Sequence, residues 1–123
     1  MQEVIEREQW NSFVKEFNHR NELRATSLEV LGRELGLQEE EKLLPLTGIS
    51  VEMKGADAPR VEITLGGETS KEERHLTHTI PGVRSIMRKI GDDLREEALL
   101  IEDEDGMKTL LRFEPLPELE PAR

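Results

Sequence analysis

The chain has 123 residues, of which 35% are hydrophobic and 36% are charged, and its formal net charge at pH 7 is −10. The length fits one domain with one core, and the composition excludes disulfides, thiolate metal sites and cysteine nucleophiles because there is no cysteine. We expect a soluble, cytoplasmic protein with no signal peptide or membrane span, and the acidic balance disfavours nucleic acid and anionic membranes as partners.

An amphipathic helix is predicted near the start of the chain. Trp10, Phe13, Val14 and Phe17 recur at i, i+3, i+4 and i+7, which is the spacing of one helical face. Polar side chains fill the positions between them, and residues 18–21 have the polar, partly cationic character of a helix end. The pattern predicts a helix that packs its aromatic face on a sheet.

Beyond the helix, apolar and polar residues alternate in three stretches, 27–30, 49–54 and 61–65. A period of two indicates strands with one buried and one solvated face. Residues 55–59, GADAP, are rich in turn-forming residues and predict a short hairpin connection. For residues 36–46 a short helix and an irregular crossover both fit, and we expect the crossover.

Residues 98–113 predict a second hairpin, because the Asp105-Gly106 pair is typical of a two-residue type I′ turn. That turn places Asp103 opposite Lys108 and leaves apolar side chains on both faces of the ribbon away from the turn. A hairpin that is apolar on both faces has to be covered on both faces. We therefore expect it at the centre of the fold, between a sheet or barrel interior and the N-terminal helix.

Two charged clusters are candidates for binding sites. Arg84, Arg88 and Lys89 form a short basic stretch, which we interpret as a solvated face rather than a nucleic-acid groove. Residues 102–106, EDEDG, resemble a calcium loop in composition only, because an EF-hand spreads its ligands over a longer loop between two helices. We interpret that stretch as a surface turn.

Two further segments are less regular. The apolar residues of 83–90 match the helical period, but the run is short and lies among strands, so a helix and a bulged strand both remain open. The last segment, 114–123, contains three prolines and predicts an extended, mobile tail. The expected domain is therefore 1–113.

The stretch 74–80, RHLTHTI, contains two of the three histidines. On a helix two such residues share a face and can hold one metal, whereas on a strand they point to opposite faces. The alternation favours a strand, so no metal site is expected. His78 is predicted to lie inward, bonded to a backbone carbonyl or a buried hydroxyl. His75, Thr77 and Thr79 form a polar stripe that is either plain solvated surface or the floor of a shallow groove.

The same segments resemble those of a family of small bacterial proteins classed as a domain of unknown function, and the likeness spans roughly residues 8 to 113. It is carried by the Trp10 helix, LPLTGI at 44–49, HLTHTI at 75–80, IEDEDG at 101–106 and TLLRF at 109–113. The resemblance implies a bacterial source and a free-standing domain. It implies no activity and no functional residues.

These observations predict an α+β fold, with the N-terminal helix packed on a strongly bent antiparallel sheet of about six strands or a small open barrel. No catalytic motif is present, so no cofactor is expected. We favour a non-catalytic interaction or regulatory module whose acidic surface meets a basic protein partner or another copy of itself. The alternative is a small-molecule or metal-binding protein, or an enzyme, that uses the face of His75, Thr77 and Thr79, or His78.

Overall fold

The computed structural model describes residues 1–32, 36–67 and 72–114, with the backbone alone at 36–42 and 72–73. Within these residues one α-helix, one short 3₁₀ turn and eight strands form. The elements in chain order are β1 Gln2–Val4, the 3₁₀ turn Arg7–Gln9, α1 Trp10–Asn21, β2 Ala25–Gly32, β3 Gly36–Glu52, β4 Arg60–Gly67, β5 Glu72–Ile80, β6 Val83–Ile90, β7 Glu96–Asp103 and β8 Lys108–Phe113.

The strands form one open antiparallel sheet in the order β1-β6-β7-β8-β2-β3-β4-β5, so β1 and β5 are its edges. The fold class is as predicted, but the expected number of about six strands is wrong, since eight are present in the described part of the chain. The sheet is also open rather than a barrel. The prediction missed the three-residue β1, which is too short to show a period of two, and much of the long β3.

The sheet bends strongly at β3. The first part of β3, up to Pro45, pairs with β2, and the part from Leu46 onward pairs with β4. Register shifts at Leu46/Gly48 and in β2 allow the bend, because an extra residue in one strand increases its twist. As a result His78 on β5 lies 3.5 Å from Thr109 on β8, although three strands separate β5 from β8 in the sheet.

Helix α1 packs on the concave side of the bent sheet. The four apolar residues predicted for its buried face are all buried, and Trp10 Nε1 donates to the carbonyl of Ile5 at 3.0 Å. The Asn18 side chain fixes the helix to β3, since its amide donates to the carbonyl of Ile49 and its oxygen accepts from the Ile49 N–H, each at 2.8 Å. The helix prediction is therefore confirmed.

Two segments whose sequences fit more than one conformation are both strands. Residues 36–46, expected to be a crossover, belong to strand β3. Residues 83–90, left open between helix and strand, form β6, which pairs with both β1 and β7. In each case pairing with distant strands decides the conformation, and local periodicity does not show that pairing. The predicted tail beyond Glu114 lies outside the described residues.

The second hairpin forms, but its register is shifted by one residue. Glu102 lies opposite Lys108, so the predicted pair of Asp103 with Lys108 is wrong. The Gly106 N–H donates to the carbonyl of Asp103 at 3.1 Å, and Gly106 has a φ of 82°. This is the geometry of a three-residue loop with a glycine bulge rather than a two-residue turn. The shift decides which side chains of β8 point into the core.

Candidate functional site

The polar stripe predicted on β5 lies on the exposed side of an edge strand. His75, Thr77 and Thr79 are all exposed and lie opposite Gly66, Thr64 and Glu62 of β4, respectively. The Thr77 hydroxyl is 3.4 Å from His75 Nε2. The stripe therefore continues across β4 as a polar sheet surface.

His78 lies on the opposite side of the same strand, as its position in the alternation predicted. Its Nε2 is 3.5 Å from the hydroxyl of Thr109, and Thr109 is buried. The sheet separates the rings of His75 and His78, so the two cannot bind one ion. Among the described residues, no group of three or more His, Asp or Glu side chains is placed to hold a metal ion.

The sequence prediction did not identify a row of apolar side chains on the convex surface of the sheet. We call the surface of β1, β6, β7, β8 and β2 that points away from α1 the outer face. Register places Val4 beside Met87, Met87 beside Leu100, and Leu100 beside Leu110, so four neighbouring strands each contribute one apolar side chain. We call these four residues the apolar row.

The apolar row is not part of the hydrophobic core. Leu99 and Leu111, the chain neighbours of Leu100 and Leu110, are buried in the core cluster, whereas Leu100 and Leu110 are only half-buried and outside it. Val4 at the end of the row is 64% exposed. On the same face Leu31, which pairs with Lys108, is 43% exposed. Apolar side chains that are contiguous and at least partly exposed are typical of interaction surfaces.

Four cations flank the apolar row, and we call them the cationic rim. Lys89 and Arg112 lie on one side of the row, and Arg84 and Lys108 lie on the other. Their side chains are 44% to 63% exposed. The paired carboxylates of Glu29 and Glu102 are only 14% and 19% exposed, respectively. Lys89 pairs with Glu97, which is 51% exposed, so a partner meets mainly positive charge around Arg84, Lys108 and Arg112.

A second set of charges lies between α1 and the sheet, around the buried carboxylate of Glu96. Glu96, at the start of β7, is 3% exposed and accepts a hydrogen bond from Arg20 Nε at 2.7 Å. Arg88 Nη1 lies 3.5 Å from the same carboxylate oxygen, and Arg24 Nη1 donates to the Glu96 carbonyl at 2.7 Å. The Arg24 guanidinium also lies 4.4 Å from the ring centre of Phe113. These cations are held by the fold, so the cluster is structural.

The cluster controls the pKa of its own members. Burial on its own raises the pKa of Glu96, but the Arg20 hydrogen bond, the Glu96 backbone N–H and the charges of Arg20 and Arg88 outweigh it and hold that pKa below its ordinary value. Burial, together with the charge of Arg95, lowers the pKa of Arg24, and the nearby carboxylates of Glu96 and Asp93 oppose that shift.

The basic stretch seen in the sequence is divided by the sheet. Arg84 and Lys89 belong to the cationic rim, whereas Arg88 points to the concave side and pairs with Glu96 and Glu3. Alternation along β6 places Arg88 and Lys89 on opposite faces, and the register shift between Val83 and Ser85 turns Arg84 to the same side as Lys89. Its members therefore do not form one basic patch, and only two of the three are available to a partner on the outer face.

Comparison with known proteins identifies the family. A family model described as a family of unknown function (DUF5335) matches residues 1–122. The chain belongs to this family. No curated protein and no solved structure matches it. The DUF5335 match covers both hairpins, α1 and every residue of the apolar row.

In the described part of this DUF5335 chain, no helix is long and apolar enough to cross a membrane.

Proposed function

We propose that the chain is a non-catalytic protein-interaction module that binds a protein partner through the outer face. The observation that carries the proposal is the apolar row, which lies beside core residues in the chain but outside the core cluster. The sequence required cover on both faces of the 98–113 hairpin, and among the described residues the core covers only its inner side. A partner supplies the second cover.

The size of the outer face indicates how tightly such a partner binds. Five strands about 4.8 Å apart, averaging about six residues with a rise of about 3.4 Å, give a surface of roughly 500 Å². A standard-size interface buries about 800 Å² on each partner. The expected complex is therefore a transient one, with its affinity concentrated in the apolar side chains at the centre of the face.

Site-specific photo-crosslinking in the native host tests the proposal. A photoreactive phenylalanine analogue replaces Leu110 on the outer face or, as a matched control on the polar face of β5, Thr79. We expect a discrete adduct with a protein partner from position 110 and none from position 79. The adduct should be lost when Met87, its neighbour across Leu100, is changed to Lys. Identical adduct patterns from both positions, or no adduct from position 110, would refute the outer face as the binding surface.

A second candidate function is small-molecule binding on the polar face of β5. The observation that favours it is the grouping of His75, Thr77 and Thr79 as exposed side chains beside Thr64. Such a face offers hydrogen-bond donors and acceptors without an apolar surface for a protein.

Thermal-shift screening against metabolites and divalent metals tests this alternative. Any stabilisation should disappear in His75→Ala and persist in His78→Ala, whose ring lies on the opposite side of β5 near the Thr109 hydroxyl. If the compound involves His78 instead, the pattern of the two variants should be reversed. A shift that neither variant changes would exclude both histidines.

A further inference from the structure

We propose that the partner segment bound by the outer face is acidic and amphipathic, with leucine-like side chains flanked by Asp or Glu. This inference rests on the proposed function and adds the chemistry of the partner. It is carried by the cationic rim, which borders the apolar row on both sides. The strongly acidic chain as a whole favours basic partners, whereas the positive charge at the outer face favours an acidic partner.

The exposures within the rim's ion pairs determine the sign of the charge that a partner meets. Arg84, Lys108 and Arg112 are about half exposed, and their acceptors Glu102 and Glu29 are largely covered. Lys89 pairs with Glu97, which is 51% exposed, so the excess of positive charge comes from the other three cations. The pairs of Lys108 with Glu102 and Arg112 with Glu29 are also long, at 4.0 Å and 3.9 Å. Long surface pairs of this kind contribute little to stability, so Lys108 and Arg112 can turn to a better-placed carboxylate.

The geometry of the face matches an amphipathic segment. Lys89, Lys108 and Arg112 lie two positions along their strands from the apolar row, which is about 7 Å, and Arg84 lies three positions from Met87, across the register shift in β6. The row itself crosses four strands, or about 15 Å. A segment with three or four apolar side chains along this line would bring acidic side chains on its flanks within reach of Lys89 and Arg112 on one edge and Arg84 and Lys108 on the other.

Other occupants fit the same surface less well. A second copy placed face to face would bring two cationic rims together, and like charges across an interface are unfavourable. Nucleic acid would meet apolar side chains at the centre of the face and a chain of net charge −10 around it. A basic segment would be repelled by the rim.

A peptide-binding measurement tests the inference. Two fluorescein-labelled peptides are used, one of alternating Leu and Glu and one of alternating Leu and Lys. Fluorescence anisotropy at about 50 mM salt should show at least tenfold tighter binding of the Glu peptide, and that preference should weaken as salt screens the rim.

Charge reversal locates the peptide on the protein. The double variant Lys108→Glu and Arg112→Glu should weaken binding of the Glu peptide at least tenfold. The matched control, Lys15→Glu and Lys54→Glu, makes the same change in net charge at exposed positions away from the outer face and should stay within about threefold of the unmodified protein. Far-ultraviolet circular dichroism of each variant confirms that the fold is retained.

The outcomes separate this inference from the proposed function. Equal binding of both peptides, a preference for the Lys peptide, or equal effects of the two double variants would overturn the acidic partner. A concentration-dependent dimer lost in Met87→Lys would also overturn it, because the occupant would then be a second copy. If a crosslink from position 110 persists in any of these cases, the proposal that the outer face binds a protein is kept and only the acidic character of the partner is rejected. If that crosslink is absent as well, both proposals fail.

Discussion

Glu96→Gln tests how much the charge cluster around Glu96, which links α1 to the sheet, contributes to stability. The substitution keeps the shape of the side chain but removes the negative charge that Arg20 and Arg88 face. Breaking a buried ion pair typically costs about 3 to 5 kcal/mol. Arg20 is 39% exposed, so solvent screens part of its interaction. We therefore expect the free energy of unfolding at pH 7 to fall by about 2 to 3 kcal/mol.

The pH dependence gives the sharper test. The pKa of Glu96 is lower in the folded chain than in the unfolded chain, where it is about 4.3. Its contribution to stability is therefore fully present above the unfolded value and is lost as the pH falls through the folded value. The stability difference between the unmodified protein and Glu96→Gln should stay constant from pH 7 to about 5.5 and shrink below about pH 4.3.

Urea unfolding followed by tryptophan fluorescence measures this difference, since Trp10 is buried in the core. The control is Glu16→Gln, which removes the exposed carboxylate 3.7 Å from Arg20 and should change stability by less than about 0.5 kcal/mol. If Glu96→Gln is as stable as the control at pH 7, or if its deficit persists unchanged at pH 3, the cluster does not stabilise the fold through the charge of Glu96.

Three further predictions concern the contact of α1 with β3, the approach of β5 to β4 and the turn of the second hairpin, and the same urea assay measures each. Asn18→Ala should lower the free energy of unfolding by about 2 kcal/mol, because both hydrogen bonds to the Ile49 backbone are lost. A loss under about 0.5 kcal/mol would show that these bonds do not hold α1 on β3. Gly66→Ala should cost about 3 kcal/mol, since φ is +70° and the new Cβ would lie 2.0 Å from the Arg74 carbonyl oxygen. Gly48→Ala, whose nearest contact is 3.9 Å away, should cost under about 1 kcal/mol, and equal losses would refute the close approach at Gly66. Asp103→Ala should lower the free energy of unfolding by about 1 kcal/mol, because it removes the acceptor of the Asp105 and Met107 N–H groups. An unchanged urea midpoint would show that these two hydrogen bonds do not stabilise the turn.

The sequence predicted those elements whose pattern is local. The aromatic spacing of α1 and the alternation of β4 and β5 each lie within a few residues, so periodicity was sufficient. The conformation of 36–46 and 83–90 depends instead on pairing with distant strands. The Asp-Gly pair does not determine the register of the second hairpin, because it suits both a two-residue turn and the glycine bulge of a three-residue loop.

The candidate site was only half visible in the sequence. The opposite orientations of His75 and His78 followed from alternation alone. The apolar character of both hairpin faces was also visible, but the sequence did not show that the outer side would meet no core residue. The row joins side chains from β1, β6, β7 and β8, which are up to 106 positions apart in the chain, from Val4 to Leu110. A local sequence pattern cannot show that these four side chains lie side by side.

Methyl NMR of leucine-labelled protein titrated with the Leu-Glu peptide tests the role of the outer face most directly. Leu99 and Leu100, and likewise Leu110 and Leu111, are chain neighbours on opposite faces of the sheet, so each pair contains its own control. We predict that the methyl resonances of Leu100 and Leu110 shift on binding while those of Leu99 and Leu111 stay in place. Shifts confined to Leu76, on the β5 strand, or no shift at Leu100 and Leu110, would contradict the account.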